Sequence, residues 1–291
     1  MGLFDSLKTV LSGGRVDVRG NYEFMREAIS GTMSKFYMAR ERKTGSVVGL
    51  KILDPKKNVE FEARFKGLKK PFEGEIVQAI SHPHVVRVLS YGTTLQGEPF
   101  VVMEFIDGPG LNSLVIGRSP LLDGRRVSLI RQAAEALGAV HQAGYIHRDV
   151  CPRNFMVSPD GKHLTLIDFG LTVPATPQFM LPGNRTGTPN YMAPELVKRL
   201  ATDQRLDVFS FGVSAYEICT FNLPWERGTD GRAAMTHAMH PPVEILKYRP
   251  KIDPVLAKAI MSCVEPQVGK RCPSMEHFLQ SIRDVKSEDQ A

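Results

Sequence analysis

Apolar residues in the first third of the chain fall in short runs of strand length. Phe24–Ile29, Lys35–Arg40 and Val47–Leu53 read as three strands, separated by Ser30–Ser34 and by the turn Lys43-Thr44-Gly45. A helical stretch follows in PFEGEIVQAISHPHVV, with Pro71 suited to its first turn and Ser81-His82-Pro83 closing it. Phe100–Ile106 (FVVMEFI) is an apolar run long enough for a buried strand, and it stops at Asp107-Gly108-Pro109-Gly110. Beyond it the period changes. Ser128–Ala143 carries Leu129, Ile130, Ala133, Leu137 and Val140 at the spacing of one buried helix face. Leu206–Phe221 is apolar nearly all round, which predicts a fully buried central helix. Two short β-like runs, Phe155–Val157 and Leu164–Ile167, flank the hairpin turn Ser158-Pro159-Asp160-Gly161. Strands first and helices afterwards predict an α+β fold.

Composition changes this picture little. The chain has 291 residues, 42% apolar and 23% charged, ordinary values for a globular protein. Its 37 Lys+Arg against 31 Asp+Glu give +6, but the charge is spread, with one cluster in 66–70. That argues for a solvated surface and against a nucleic-acid partner. Four cysteines without CxxC spacing read as reduced thiols of a cytoplasmic protein. No apolar run reaches the ~18 residues of a membrane span. In the leader, Leu3, Leu7, Val10 and Leu11 share a helical face, and Met-Gly-x-x-x-Ser fits the N-myristoylation pattern. That pattern is short and unspecific, so we expect a short docking helix rather than a membrane anchor, followed by a linker between Gly13 and Asn21.

The chemistry concentrates in His147–Gly170, which places Asp149, Arg153, Asn154 and Asp168 at fixed offsets. The hairpin folds Asp168 back toward Asn154. A carboxylate and an amide on neighbouring loop ends can hold Mg2+, a hard cation that leaves room for phosphate oxygens. Asp149 stands just upstream, able to accept a proton from a hydroxyl.

HRD, the Asn five residues after its Asp, DFG at Asp168 and APE at Ala193-Pro194-Glu195 resemble the signature set of the eukaryotic-type (Hanks-type) protein Ser/Thr kinase family. The resemblance implies a two-lobed protein kinase fold, with a β-rich lobe over about 22–106 and a mostly helical lobe over about 107–285. A leader (1–21) and a polar tail (286–291) lie outside it. It implies ATP and Mg2+ as cofactors and a protein substrate. Val48-Gly49-Leu50-Lys51 matches V-A-I-K, so Lys51 would hold the α- and β-phosphates and needs a carboxylate partner. Glu73 and Glu75 compete for that role, and the family's spacing to His82 selects Glu73. The glycine-rich loop departs from the family: Ile29, Gly31 and Ser34 occupy its three glycine positions. Phe36 stands where the family usually has Val above the adenine, and Gly49 where it has Ala, a larger and a smaller side chain that together conserve volume. Met103 would line the back of the adenine pocket, and Met156 would also contact ATP. Glu104 and Ile106 would bond the adenine through their backbones.

For the transfer itself, the resemblance assigns the proton to Asp149 and the metal to Asn154 and Asp168. Thr188 would shape a pocket for a small hydroxyl-bearing side chain. Cys151 stands where Ser/Thr kinases carry Lys, and Arg153 sits at the offset of the compensating Arg of tyrosine kinases. Asp207 would anchor the loop at His147-Arg148, and Arg271 would pair with Glu195. Thr172, Thr176 and Thr186 are candidate phosphorylation sites of the activation segment, Thr186 the preferred one. The eroded glycine loop and Cys151 motivate the opposing reading, an ATP-binding pseudokinase or scaffold.

Overall fold

β-branched and aromatic runs pair early in the chain because each buries a face that water would otherwise solvate. In the computed structural model, residues 15–30, 34–65, 67–182, 186–228 and 231–290 are described. The expected leader helix with Leu3, Leu7, Val10 and Leu11 lies outside them, as does Gly31. The fold divides into two compact units. One runs to Ser81 and includes Val86–Ile106; the other takes His82–Val85 and everything from Asp107 onward.

The first unit is a six-stranded sheet in the order β1-β5-β6-β4-β3-β2, built from β1 (Arg15–Val16), β2 (Tyr22–Ser30), β3 (Ser34–Glu41), β4 (Val47–Leu53), β5 (Val88–Thr94) and β6 (Pro99–Glu104). Val48, Leu50 and Ile52 alternate onto one face of β4 and pack with Ala39, Phe100, Val102, Tyr22 and Val18. The segment from Arg15 to Asn21, expected to be a linker, is instead built into this unit. Arg15 and Val16 add a parallel strand to β5. Asp17 caps the turn Val18–Asn21 by accepting the Gly20 N–H at 2.8 Å, which drives Val18 into the core. The expected helix starts later than Pro71: it spans Glu73–Gln78, with Phe72 extended ahead of it.

The second unit is mostly helical. Helix Arg126–Gln142 buries Leu129, Ile130, Ala133, Leu137 and Val140, the stripe read from the sequence. Helix Arg205–Thr220 is buried from Leu206 to Thr220, so it has no solvent face to keep polar. Short antiparallel pairs lie between these two helices in sequence: β7 (Tyr145–Ile146) with β10 (Val173–Pro174), and β8 (Phe155–Val157) with β9 (Leu164–Leu166). The segment expected to be a polar tail outside the domain is anchored. Asp253 N–H donates to the Glu288 carbonyl and Gln290 N–H to that of Lys251.

Candidate active site

In the first unit the sheet register gathers the nucleotide-site candidates. β4 pairs Gly49 with Met103 and Lys51 with Val101 on β6, and Lys51 with Phe36 on β3. Phe36, Gly49, Lys51 and Met103 therefore share the face opposite the core. A Cβ on Gly49 would stand 2.7 Å from Phe36 Cζ and 3.1 Å from Met103 Cγ. The ring at position 36 thus occupies the room that an alanine methyl at position 49 would need.

Lys51 Nζ donates to Glu73 Oε1 at 2.7 Å and to Oε2 at 2.8 Å, with both side chains buried. Two charges removed from water hold together only in such close geometry. Glu75 does different work: its carboxylate accepts the Phe72 N–H at 3.2 Å, at the start of the helix. Helix Glu73–Gln78 lies so close to β5 that a Cβ on Gly74 would meet Tyr91 Cγ at 2.3 Å. Glycine costs this helix about 1 kcal/mol of propensity relative to alanine, and the close approach is what it permits. At the end of β6, Glu104 N–H donates to the Arg87 carbonyl at 3.0 Å, and its carboxylate accepts the Arg87 N–H at 2.9 Å. Ile106 follows, half-buried; Ile29 pairs with Phe36 in the β2–β3 ladder, and Ser34 opens β3.

In the second unit the loop after β7 is hung from the buried helix. Asp207, fully buried, accepts the His147 N–H at 2.7 Å and the Arg148 N–H at 2.8 Å. Arg148 adopts φ 69°, a costly conformation for a non-glycine residue that these bonds sustain. His141 Nε2 adds a contact to Asp207 Oδ2 at 2.9 Å. The Arg148 side chain is buried, and desolvation lowers its pKa against the opposing pull of Asp207.

Asp149 is oriented by several donors. Its Oδ1 accepts the Thr188 N–H at 2.9 Å and the Thr188 hydroxyl at 2.7 Å, and its Oδ2 faces Asn154 Nδ2 at 3.1 Å. Gly187 makes this possible: with φ 133° it passes so close that a Cβ would lie 2.9 Å from the Arg148 carbonyl. Arg153 Nη2 donates to Thr188 Oγ1 at 3.3 Å, so its guanidinium stands one hydroxyl away from Asp149. Cys151 Sγ approaches the same hydroxyl at 3.7 Å. Burial, then the Asp149 charge, pushes the Cys151 thiol up to about 12, so it is neutral at physiological pH.

Asn154 closes the short helical turn after Cys151, and Ile167 N–H donates to its carbonyl at 2.9 Å, which extends the β8–β9 hairpin. Its Nδ2 donates to the Asp149 carbonyl at 2.6 Å as well as to the carboxylate, so Oδ1 is the end of the amide that could hold a metal. Asp168 Oδ1 accepts the Gly170 N–H at 3.0 Å. An amide oxygen and a carboxylate are hard donors of the kind Mg2+ takes, so the residues fit that ion. Among the described residues no group of three or more His, Cys, Asp or Glu is arranged to hold a metal. Met156 lies on β8, bridged to Gly110.

Along the segment from Asp168 to Glu195, Thr172 is buried and Thr176 exposed. Thr186 is buried, and its hydroxyl has no hydrogen-bond partner among the described residues. Glu195 is held in a two-pronged pair by Arg271, at 2.7 and 2.9 Å, and Arg271 also donates to the carbonyls of Arg205 and Glu265.

Sequence reasoning missed a second anchor of this segment. Glu217, buried in the same helix as Asp207, accepts the Tyr191 hydroxyl at 2.5 Å and pairs with Arg227. Burial and the Glu217 charge raise the Tyr191 pKa above that of an ordinary phenol. A lone carboxylate within FSFGVSAYEICT was the available signal, since a buried charge requires partners.

Comparison with known proteins adds an independent line. The family model described as the protein kinase domain matches residues 22–282. The chain is 30% identical over 281 residues to the serine/threonine-protein kinase pkn3 of Myxococcus xanthus, covering 92% of this chain and 50% of that protein. It is 32% identical over 270 residues to the serine/threonine-protein kinase PknD of Mycobacterium tuberculosis, covering 91% and 40%. It is 31% identical over 246 residues to the serine/threonine-protein kinase PknB of Mycolicibacterium smegmatis, covering 79% and 38%. The chain spans half or less of the length of these relatives.

Proposed function

The chain belongs to the protein kinase domain family, and from that premise we propose that it is an ATP- and Mg2+-dependent protein serine/threonine kinase. The observation that carries this reading is the Asp149 carboxylate, fixed by the Thr188 N–H and hydroxyl and by the Asn154 amide. A base so held can orient a substrate hydroxyl and take its proton as that oxygen bonds to phosphorus. Domain limits of 22–285, with the boundary between the lobes near Ile106, belong to the same proposal.

Lys51, kept extended by Glu73, neutralises phosphate oxygens of the nucleotide. Ile29, Gly31, Ser34, Phe36, Gly49 and Met103 are the first unit's candidates for contact with ATP, with the backbones of Glu104 and Ile106 for the adenine edge, and Met156 is a candidate of the second unit. Asn154 and Asp168 hold Mg2+, which when bound neutralises phosphate charge. Arg153 supplies the positive charge that Cys151, a neutral thiol, does not. Its bond to Thr188 supports this assignment, because it brings a permanent cation beside the base. Thr188 next to Asp149 favours a short serine or threonine over a long tyrosine. Thr186 is the candidate activation-segment phosphorylation site, and modification there requires its buried hydroxyl to emerge. A helix long and apolar enough to cross a membrane is absent among the described residues. We place the protein in the cytoplasm.

Transfer of labelled phosphate from ATP to a generic protein acceptor tests the reading. The intact chain should transfer, Asp149→Asn should not, and Arg153→Ala should lose about 10- to 100-fold in turnover with ATP affinity nearly unchanged. Transfer no greater than that of Asp149→Asn, with ATP binding retained, would move the protein to the scaffold reading.

A further inference from the structure

The stretch from Thr188 to Glu195 is tied down at both ends, by Asp149 and by Arg271. Its middle is held from a different element. His237, in helix Gly231–Met239, is 2% exposed and places Nδ1 2.8 Å from the Met192 carbonyl. A carbonyl only accepts, so Nδ1 carries the proton and the imidazole is the donor. The ring cannot swing away: it lies 4.5 Å from the Trp225 ring and 5.8 Å from that of Phe209, and these two stack on each other at 5.6 Å. Arg271, the partner of Glu195, sits 5.0 Å above the same Phe209 ring. One aromatic stack therefore supports both the Met192 carbonyl and the Glu195 anchor.

Met192 itself is half-buried, and its side chain comes within 3.7 Å of where a Cβ on Gly187 would be, beside Thr188. Anything that moves its carbonyl moves the surface next to the base. We infer that His237 is a positioning residue for the acceptor polypeptide, fixing through the Met192 carbonyl the platform on which the substrate chain lies next to Asp149. This rests on the protein-kinase reading given above.

Leucine and asparagine at position 237 separate the hydrogen bond from the bulk. Asparagine can present an amide N–H near the position of Nδ1, whereas leucine fills space and donates nothing. In His237→Leu the KM for an acceptor peptide should rise about five- to twentyfold, the scale of one lost buried hydrogen bond, with the KM for ATP unchanged. His237→Asn should recover most of that loss. Amide hydrogen exchange over 187–196 provides a readout independent of catalysis: it should speed up in His237→Leu and return toward the parent rate in His237→Asn. Equal exchange in all three proteins, or an asparagine variant as impaired as the leucine one, would overturn the assignment. An intact chain that transfers no phosphate at all would instead remove the kinase reading, and the exchange comparison would still decide the role of His237.

Discussion

At the residue scale, the pair Phe36 and Gly49 shows how one missing methyl group is used. Phe36 Cζ stands 2.7 Å from where a Gly49 Cβ would lie, closer than two carbons can approach. Gly49→Ala should therefore destabilise the fold by about 1–3 kcal/mol, the usual cost of overpacking, and weaken ATP binding. Adding Phe36→Val removes the ring and should restore both, so the double variant is more stable than the sum of the single effects allows. Urea denaturation and nucleotide titration of the three variants measure this, and simple additivity would count against the packing account. This coupling was legible only through the family resemblance, which expects a smaller side chain at 36 and a larger one at 49; the structure adds that the two residues stand on strands that pair. The Lys51–Glu73 pair was legible in the same way. Residue types alone left Glu73 and Glu75 equivalent, and the family's pattern separated them, through its spacing to His82 and through the apolar Val77 that the choice of Glu73 places one turn on. The structure supplies the physical difference: one carboxylate meets Lys51, and the other caps the backbone at Phe72.

At the element scale, helix Glu73–Gln78 pits local propensity against packing. Gly74→Ala would improve the isolated helix by about 1 kcal/mol. In the folded chain the new methyl would meet Tyr91 Cγ, Cβ and Cδ1 at 2.3–2.6 Å, and the ring base has no flexible end to yield. The helix must then move off β5 and take Glu73 with it. We expect Gly74→Ala to lower the melting temperature and to weaken ATP binding, whereas Gly74→Ala with Tyr91→Ala recovers part of the stability. Calorimetry of the pair decides between propensity and packing; a more stable single variant would show that packing is not limiting. Helix Arg205–Thr220 was legible because burial all round leaves a continuous apolar pattern. The strand at Arg15–Val16 was not: two residues are too few to show a period, and its partner strand lies more than seventy positions away. A separation of 66 positions likewise hid His141 as a third contact of Asp207.

At the scale of the whole molecule, stretches that look like trimmings are structural parts of the unit each belongs to. Val18 fills the sheet core of the first unit, and Glu288 neutralises a buried basic site in the second. Glu288 takes Arg126 Nη1 at 2.5 Å, Arg249 Nη2 at 3.3 Å and the Gly124 N–H at 3.1 Å, while Asp289 holds Arg249 at 2.7 Å through both oxygens. Arg126 and Arg249 in turn donate to the carbonyls of Ile218 and Cys219, at the end of helix Arg205–Thr220. A polar composition suggests solvation, yet here it matches a pair of guanidinium groups that no local pattern could reveal. Deleting 286–291 leaves the buried Arg126 with the exposed Asp123 as its one carboxylate partner among the described residues, and a broken buried pair costs about 3–5 kcal/mol. A domain of this size loses about 2–4 °C per kcal/mol, so melting should fall by roughly 6–20 °C. The Asp289 contribution can be isolated by pH. The side-chain bonds from Arg249 hold the Asp289 carboxyl below the usual range. Its share of stability is then fully present above the unfolded carboxyl pKa of about 4, and is lost as the pH falls through the lower folded value. The gap in melting temperature between the intact chain and Asp289→Asn should be constant from pH 6 to 8 and should close in acid below about pH 4. A gap that stays open there would assign the role of Asp289 to its shape rather than its charge.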